Sequence, residues 1–148
     1  FRKGGVFVNE DREDGYVIIS NPDRSVNVGG TARAYIFTAA EVVATENAQV
    51  YCRTAGSKIT LRGHAYCHCD SRETEVTVYN FAKADGQMRC TTHNAAEVML
   101  QGGTLVDYGH RRIEAYGDTI VYSDATKGIA LNDQSRQYPL SEWIIDNG

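Results

Sequence analysis

The sequence predicts an all-β fold, a β-solenoid (a β-helix or β-roll) built from strand–turn units of about eight residues. Three observations carry this expectation. Small or branched apolar residues recur in pairs two positions apart, the pairs return at steps of six to nine residues, and turn-forming residues fall between them. Because successive Cβ atoms alternate sides along a strand, residues i and i+2 share a face, so each pair marks one short strand and its interior side.

Four blocks align without gaps: RSVNVGGT (24–31), ARAYIFTA (32–39), AEVVATEN (40–47) and AQVYCRTA (48–55). They place Val26/Val28, Ala34/Ile36, Val42/Ala44 and Val50/Cys52 at matching positions. The series continues as Ile59/Leu61, Cys67/Cys69, Val76/Val78, Ala82/Ala84, Cys90/Thr92, Val98/Leu100, Val106/Tyr108, Ile113/Ala115 and Ile120/Tyr122. Gly29-Gly30, Gly56-Ser57, Asp70-Ser71, Asp85-Gly86, Gly102-Gly103 and Gly117-Asp118 supply positive φ or Asx-type turns between units. A unit this short cannot bury its apolar side alone, so successive coils must stack. Two strands per coil gives about sixteen residues per turn and two opposed sheets. Three strands per turn is the other arrangement the spacing permits. A helical reading fails because apolar spacings of three and four are absent where Val, Thr and Tyr abound. A sandwich of short strands is the rival fold, but its strands typically run about five or six residues with irregular spacing.

The whole chain of 148 residues reads as one domain, with caps at residues 1–23 and 124–148 around a repeat at 24–123. Residues 5–20 suggest a hairpin cap: Val6-Phe7-Val8, an acidic turn closing at Gly15, then Tyr16 to Ile19. The repeat fades after Ser123. The segment from Pro139 to Ile145 carries the sole Trp and reads as a short helix or strand covering the last coil.

The blocks AEVVATEN, AQVYCRTA, AEVMLQGG (96–103) and RIEAYGDT (112–119) resemble an octapeptide pattern, A-x-V-x-A-Y-x-N/D, of uncharacterised phage and bacterial proteins. The Tyr-Gly pair of that pattern is clear at Tyr108-Gly109 and Tyr116-Gly117. The resemblance implies a solenoid of mobile-element origin and brings no activity or catalytic residue with it.

The formal net charge of −4 gives no general attraction to nucleic acid or to an anionic membrane, so neither is an expected partner. No apolar run reaches the roughly 18 to 20 residues that span a bilayer. The chain starts at Phe1 rather than Met, which leaves an upstream segment open. No cofactor is expected, because P-loop, dinucleotide, Gly-x-Ser-x-Gly and His-Glu-x-x-His motifs are absent.

His64, Cys67, His68 and Cys69 are residue types that zinc prefers, but on a strand Cys67 and Cys69 point one way and His68 the other. No metal is therefore expected. All four cysteines fall at interior positions and read as core thiols, which fits an intracellular, cytoplasmic setting; a virion-associated one is the expectation that the phage resemblance adds. With two strands per coil, Cys52 and Cys69 become neighbours that could pair. Carboxylates such as Glu75, Glu97, Asp107, Glu114 and Asp118 are candidates for acid–base work, but nothing in the sequence separates them from solvated surface charges.

The outward positions carry the functional expectation. One sheet presents Tyr35, Tyr51, His68, Lys83, Met99 and Glu114, flanked by Arg33, Phe37, Arg53, Tyr66, Phe81, Arg112 and Tyr116. Tyr and Arg are enriched at binding hot spots. Arg33, Tyr35, Phe37, Tyr51, Arg53, Tyr66, His68, Arg112 and Tyr116 are therefore the candidate contacts of a non-enzymatic, protein-binding face. The same rings stacking on sugars, in a carbohydrate-binding or polysaccharide-cleaving solenoid, is the alternative. Aromatic ladders that only stabilise the sheet are the structural reading. The other sheet presents Asn27, Val43, Thr60, Thr77, Thr91, Asp107 and Val121. Its Thr column resembles ice-binding arrays, but Lys58, Arg62, Glu75 and Arg89 interrupt the flat plane such arrays need.

Overall fold

In the computed structural model, which describes residues 6–147, each coil carries two strands and stacks in parallel on its neighbours for about eight turns. The first sheet contains β1 (Val6–Val8), β2 (Tyr16–Ile19), β4 (Arg33–Ile36), β6 (Gln49–Cys52), β11 (Arg112–Ala115) and β13 (Ile129–Leu131). The second contains β3 (Val26–Val28), β5 (Glu41–Ala44), β7 (Lys58–Leu61), β12 (Ile120–Tyr122) and β14 (Arg136–Tyr138). Three longer strands, β8 (Tyr66–Val78), β9 (Lys83–Thr92) and β10 (Glu97–Asp107), bend around the corner and serve both sheets.

The interior follows the apolar pairs. Val17/Ile19, Ala34/Ile36, Val50/Cys52, Cys67/Cys69, Val98/Leu100 and Ile113/Ala115 line the first sheet, all buried. Val26/Val28, Val42/Ala44, Ile59/Leu61 and Val76/Val78 face them from the second. Each Val, Leu or Ile side chain withdrawn from water contributes about 1.5–3 kcal/mol, and only stacking removes all of them at once.

One corner is built the same way coil after coil. Gly30, Glu46, Gly63, Asn80 and Asn94 all take left-handed backbone angles, with φ between 54° and 64°. The side chain of one such residue then holds the turn of the coil before it. Asn80 Oδ1 accepts from the Gly63 N–H at 3.0 Å, and Asn94 Oδ1 from the Asn80 N–H at 3.0 Å. Asn tolerates this conformation better than other side-chain-bearing residues and supplies an acceptor for a turn amide that the strand ladder leaves unpaired.

The structure corrects the sequence reading at four places. β1 and β2 pair in parallel, Val6 to Tyr16 and Phe7 to Val17, so residues 6–19 are coiled and not folded as a hairpin. Solenoid structure continues beyond Ser123, since β13 and β14 stack on β11 and β12. The interior positions of the later coils are Leu105/Asp107 and Val121/Ser123, one residue away from the expected Val106/Tyr108 and Ile120/Tyr122. A bulge between Leu100 and Gly103 causes this slip, and hydrogen-bonding partners inside make a buried Asp107 tolerable. Asp85, and not Lys83, follows His68 in the central outward column of the first sheet; Lys83 lies in the flanking column beside Tyr66. The C-terminal segment takes the helical one of its two expected forms: α1 (Leu140–Asn147) packs on β10 and β12.

That last placement explains a change of chemistry along the second sheet. Its central outward column runs Asn27, Val43, Thr60, Thr77, Thr91 and then Val106, Tyr122 and Tyr138. The column turns apolar where Trp143 covers it, with the Trp143 and Tyr122 rings 5.3 Å apart.

Candidate functional site

The outer face of the first sheet is a grid of in-register columns. Tyr16, Arg33, Gln49, Tyr66, Lys83, Glu97 and Arg112 form one column, and Tyr35, Tyr51, His68, Asp85, Met99 and Glu114 the next. Parallel strands about 4.8 Å apart bring like side chains into stacking range. Tyr16 stacks on Tyr35 at 6.0 Å, Tyr35 on Tyr51 at 5.2 Å, and Tyr66 meets Tyr51 edge-on at 6.2 Å. The Tyr51 hydroxyl donates to Gln49 Oε1 at 2.5 Å, which fixes the ring further. Arg33 lies over the Tyr16 ring, 5.8 Å from its centre.

Below the tyrosines the face becomes ionic. Asp85 accepts from the Tyr66 hydroxyl at 2.7 Å and sits 2.6 Å from His68 Nδ1. Burial and the adjacent Asp85 carboxylate push the Tyr66 phenol up, so it remains a donor. Lys83 pairs with Glu97 at 3.2 Å and Arg112 with Glu114 at 3.3 Å; the Tyr116 hydroxyl also donates to Glu114, at 3.3 Å. At the upper end, by contrast, no carboxylate pairs with Arg33 or Arg53 among the described residues.

The nine predicted residues fall into two groups. Arg33, Tyr35, Tyr51, Tyr66, His68 and Arg112 lie on the sheet itself. Phe37, Arg53 and Tyr116 follow β4, β6 and β11 at its corner, where Phe37 is 60% exposed. Phe81, expected on the same face, is at the opposite corner and stacks on His64 at 5.4 Å. That corner continues as Arg62 over Tyr79, at 4.3 Å, with Tyr79, His93 and Tyr108 stacked in succession.

The other candidate chemistry is accounted for by internal contacts. Asp118 accepts two hydrogen bonds from Arg72, at 2.8 and 3.0 Å, which hold its carboxyl below the usual range. Asp107 is buried and accepts from Thr92, Ser123 and the Gly109 N–H, while His110 Nδ1 lies 2.7 Å from its Oδ2. Serine, histidine and aspartate thus meet, but in an order unsuited to nucleophilic catalysis. Ser123 donates to Asp107 and not to His110, and His110 Nε2 is 2.8 Å from the Lys127 carbonyl.

Cys52 and Cys69 are in-register neighbours and both thiols are free. The Cys52 thiol donates to the Thr54 carbonyl at 3.4 Å and the Cys69 thiol to the Ser71 carbonyl at 3.8 Å, and the neighbouring Cys52 thiol together with burial pushes Cys69 up. No group of three or more His, Cys, Asp or Glu could hold a metal ion among the described residues.

No protein-family model, curated protein or solved structure matches the chain. The site therefore rests on its own geometry. Within it, the Tyr66–Asp85–His68 cluster escaped the sequence reading because it needs the coil length. Asp85 lies in register with His68, and the apolar pair at Ala82/Ala84 suggested a shorter step.

Proposed function

We propose that the chain is a non-enzymatic interaction module that grips a protein partner through the first sheet's outer face, as a host-factor inhibitor or a virion component. The observation that carries this reading is the upper half of that face: a tyrosine ladder flanked by Arg33, Arg53 and the exposed Phe37. Rings locked by stacking lose little conformational freedom on binding, and guanidinium groups without an ionic partner keep their donors for an incoming acceptor. The stacking also favours a protein over a sugar. Tyr16, Tyr35 and Tyr51 turn their ring faces toward one another, and a sugar ring would need such a face outward. The ion pairs that engage Glu97, Glu114 and Asp118 support a role without acid–base chemistry.

Replacing Tyr51 and Arg53 together with alanine tests the proposal. Two hot-spot side chains are removed, so affinity for the partner captured by the unmodified chain should fall about 100-fold, with the circular dichroism spectrum unchanged. Unaltered capture, or loss of the β spectrum, would count against it.

A further inference from the structure

A second site stands on the opposite sheet, independent of the tyrosine face. Where α1 leaves the outer face of the second sheet, a cleft of about 350 Å³ opens, with Thr77, Thr91 and Val106 as its floor. Glu75, Arg89 and Thr104 form one side, and Trp143 the other. The Pro139–Asn147 segment holds that wall in place. The Leu140 N–H is capped by Asp124 Oδ1 at 3.0 Å, and Trp143 packs against Tyr122.

Three properties define what fits. The volume lies at the small end of ligand pockets, right for one or two sugar rings and too small for a folded element. Glu75 lies beside Arg89 in register and Arg89 is also paired with Glu73 at 3.2 Å, so the rim offers no unpaired cation to an anionic ligand. The hydroxyls of Thr77, Thr91 and Thr104 make no hydrogen bond with any described residue, and β-branching restricts each to few rotamers. Thr77 and Thr91 pair in register across the strand spacing of about 4.8 Å, close to the separation of alternate equatorial hydroxyls on a pyranose chair. An indole beside ordered hydroxyls, a guanidinium and a carboxylate suits a ligand with an apolar C–H face and a hydroxyl rim.

We propose that this cleft binds a neutral saccharide of one or two rings, with Trp143 against the ring and Thr77, Thr91, Arg89 and Glu75 on its hydroxyls. Trp143 is the sole tryptophan, so its fluorescence reports on the cleft alone. The intact chain is titrated to millimolar concentrations with maltose, cellobiose, lactose and N,N′-diacetylchitobiose, with glucose 6-phosphate as the charged comparison. Amide shifts are followed in parallel. A saturable change in emission with at least one neutral sugar is expected, with shifts at Thr77, Thr91 and Thr104. Thr77→Val with Thr91→Val keeps branched side chains on the strand while removing two hydroxyls, and should weaken binding about tenfold with the melting temperature retained. No saturable response to any neutral sugar would overturn the proposal. So would shifts confined to other surfaces, undiminished binding by the double variant, or binding of glucose 6-phosphate alone.

Discussion

Asp107→Ala is expected to lower the free energy of unfolding by about 3–5 kcal/mol, a large share of what a domain of this size has. Asp107 is an interior residue in the same row as Thr92 and Ser123, where other coils carry Ala44, Leu61 and Val78. Its two oxygens take hydrogen bonds from both hydroxyls and from the Gly109 N–H, and Oδ2 also faces His110 Nδ1. Removing the carboxylate strands several buried donors at once, and each unsatisfied group costs about 1–3 kcal/mol. Asp107→Asn keeps the shape and one acceptor but turns an NH₂ group toward donors, so its loss should be intermediate. Urea denaturation of the three proteins measures this. A change below about 1 kcal/mol for the alanine variant would mean that Asp107 is not the hub described.

Gly86→Ala should cost about 3 kcal/mol or more, for a reason that involves no lost contact. Gly86 sits where β9 rounds the corner, with φ +104°, a region that L side chains rarely adopt. A Cβ there would run into the carbonyl oxygen of Cys69 in the coil before, and backbone held by its own ladder bonds cannot step aside. Gly15→Ala separates the two contributions. Gly15 also has positive φ, +74°, but a Cβ would meet nothing within 4 Å, so only the conformational cost of about 1 kcal/mol applies. Equal losses for the two variants would refute the steric account of the corner.

These two positions also mark where the sequence stops being legible. From Val26 to Val78 the expected apolar pairs are the observed interior pairs, because one strand with a two-residue period repeats under a nearly constant coil length. Val50 lies over Cys67 seventeen residues on, but Ala84 pairs with Val98 after only fourteen. The missing residues are taken out at the corner that Gly86 and Gly103 make possible, and a period-counting argument cannot detect that. From there the register slips, Asp107 and Val121 go inward, and Val106 goes outward under α1. An aspartate inside a core contradicts hydrophobic patterning. Besides the Gly109 N–H, its neighbours at distances of three, fifteen and sixteen residues make it acceptable, and the two distant ones are unknown until the coil is closed.

The candidate face shows the same division. Tyr35 and Tyr51 were recognisable because they lie between apolar pairs in blocks of equal length. Asp85 was not, since its role depends on lying beside Tyr66 and His68 in the preceding coil. The Thr–Trp cleft was beyond reach for another reason. It joins strands to a helix whose docking position is set by the apolar outward residues Val106 and Tyr122, and those were assigned to the interior.

The tyrosine-bearing sheet, and not its opposite, is the face proposed to meet the partner. Photocrosslinking tests it within a single coil: a benzoylphenylalanine is placed at Tyr35 on β4 or at Val43 on β5, positions that point outward from opposite sheets. A covalent adduct with the captured partner is expected from position 35 and none from position 43. An adduct from position 43 alone, or from neither while capture persists, would contradict it.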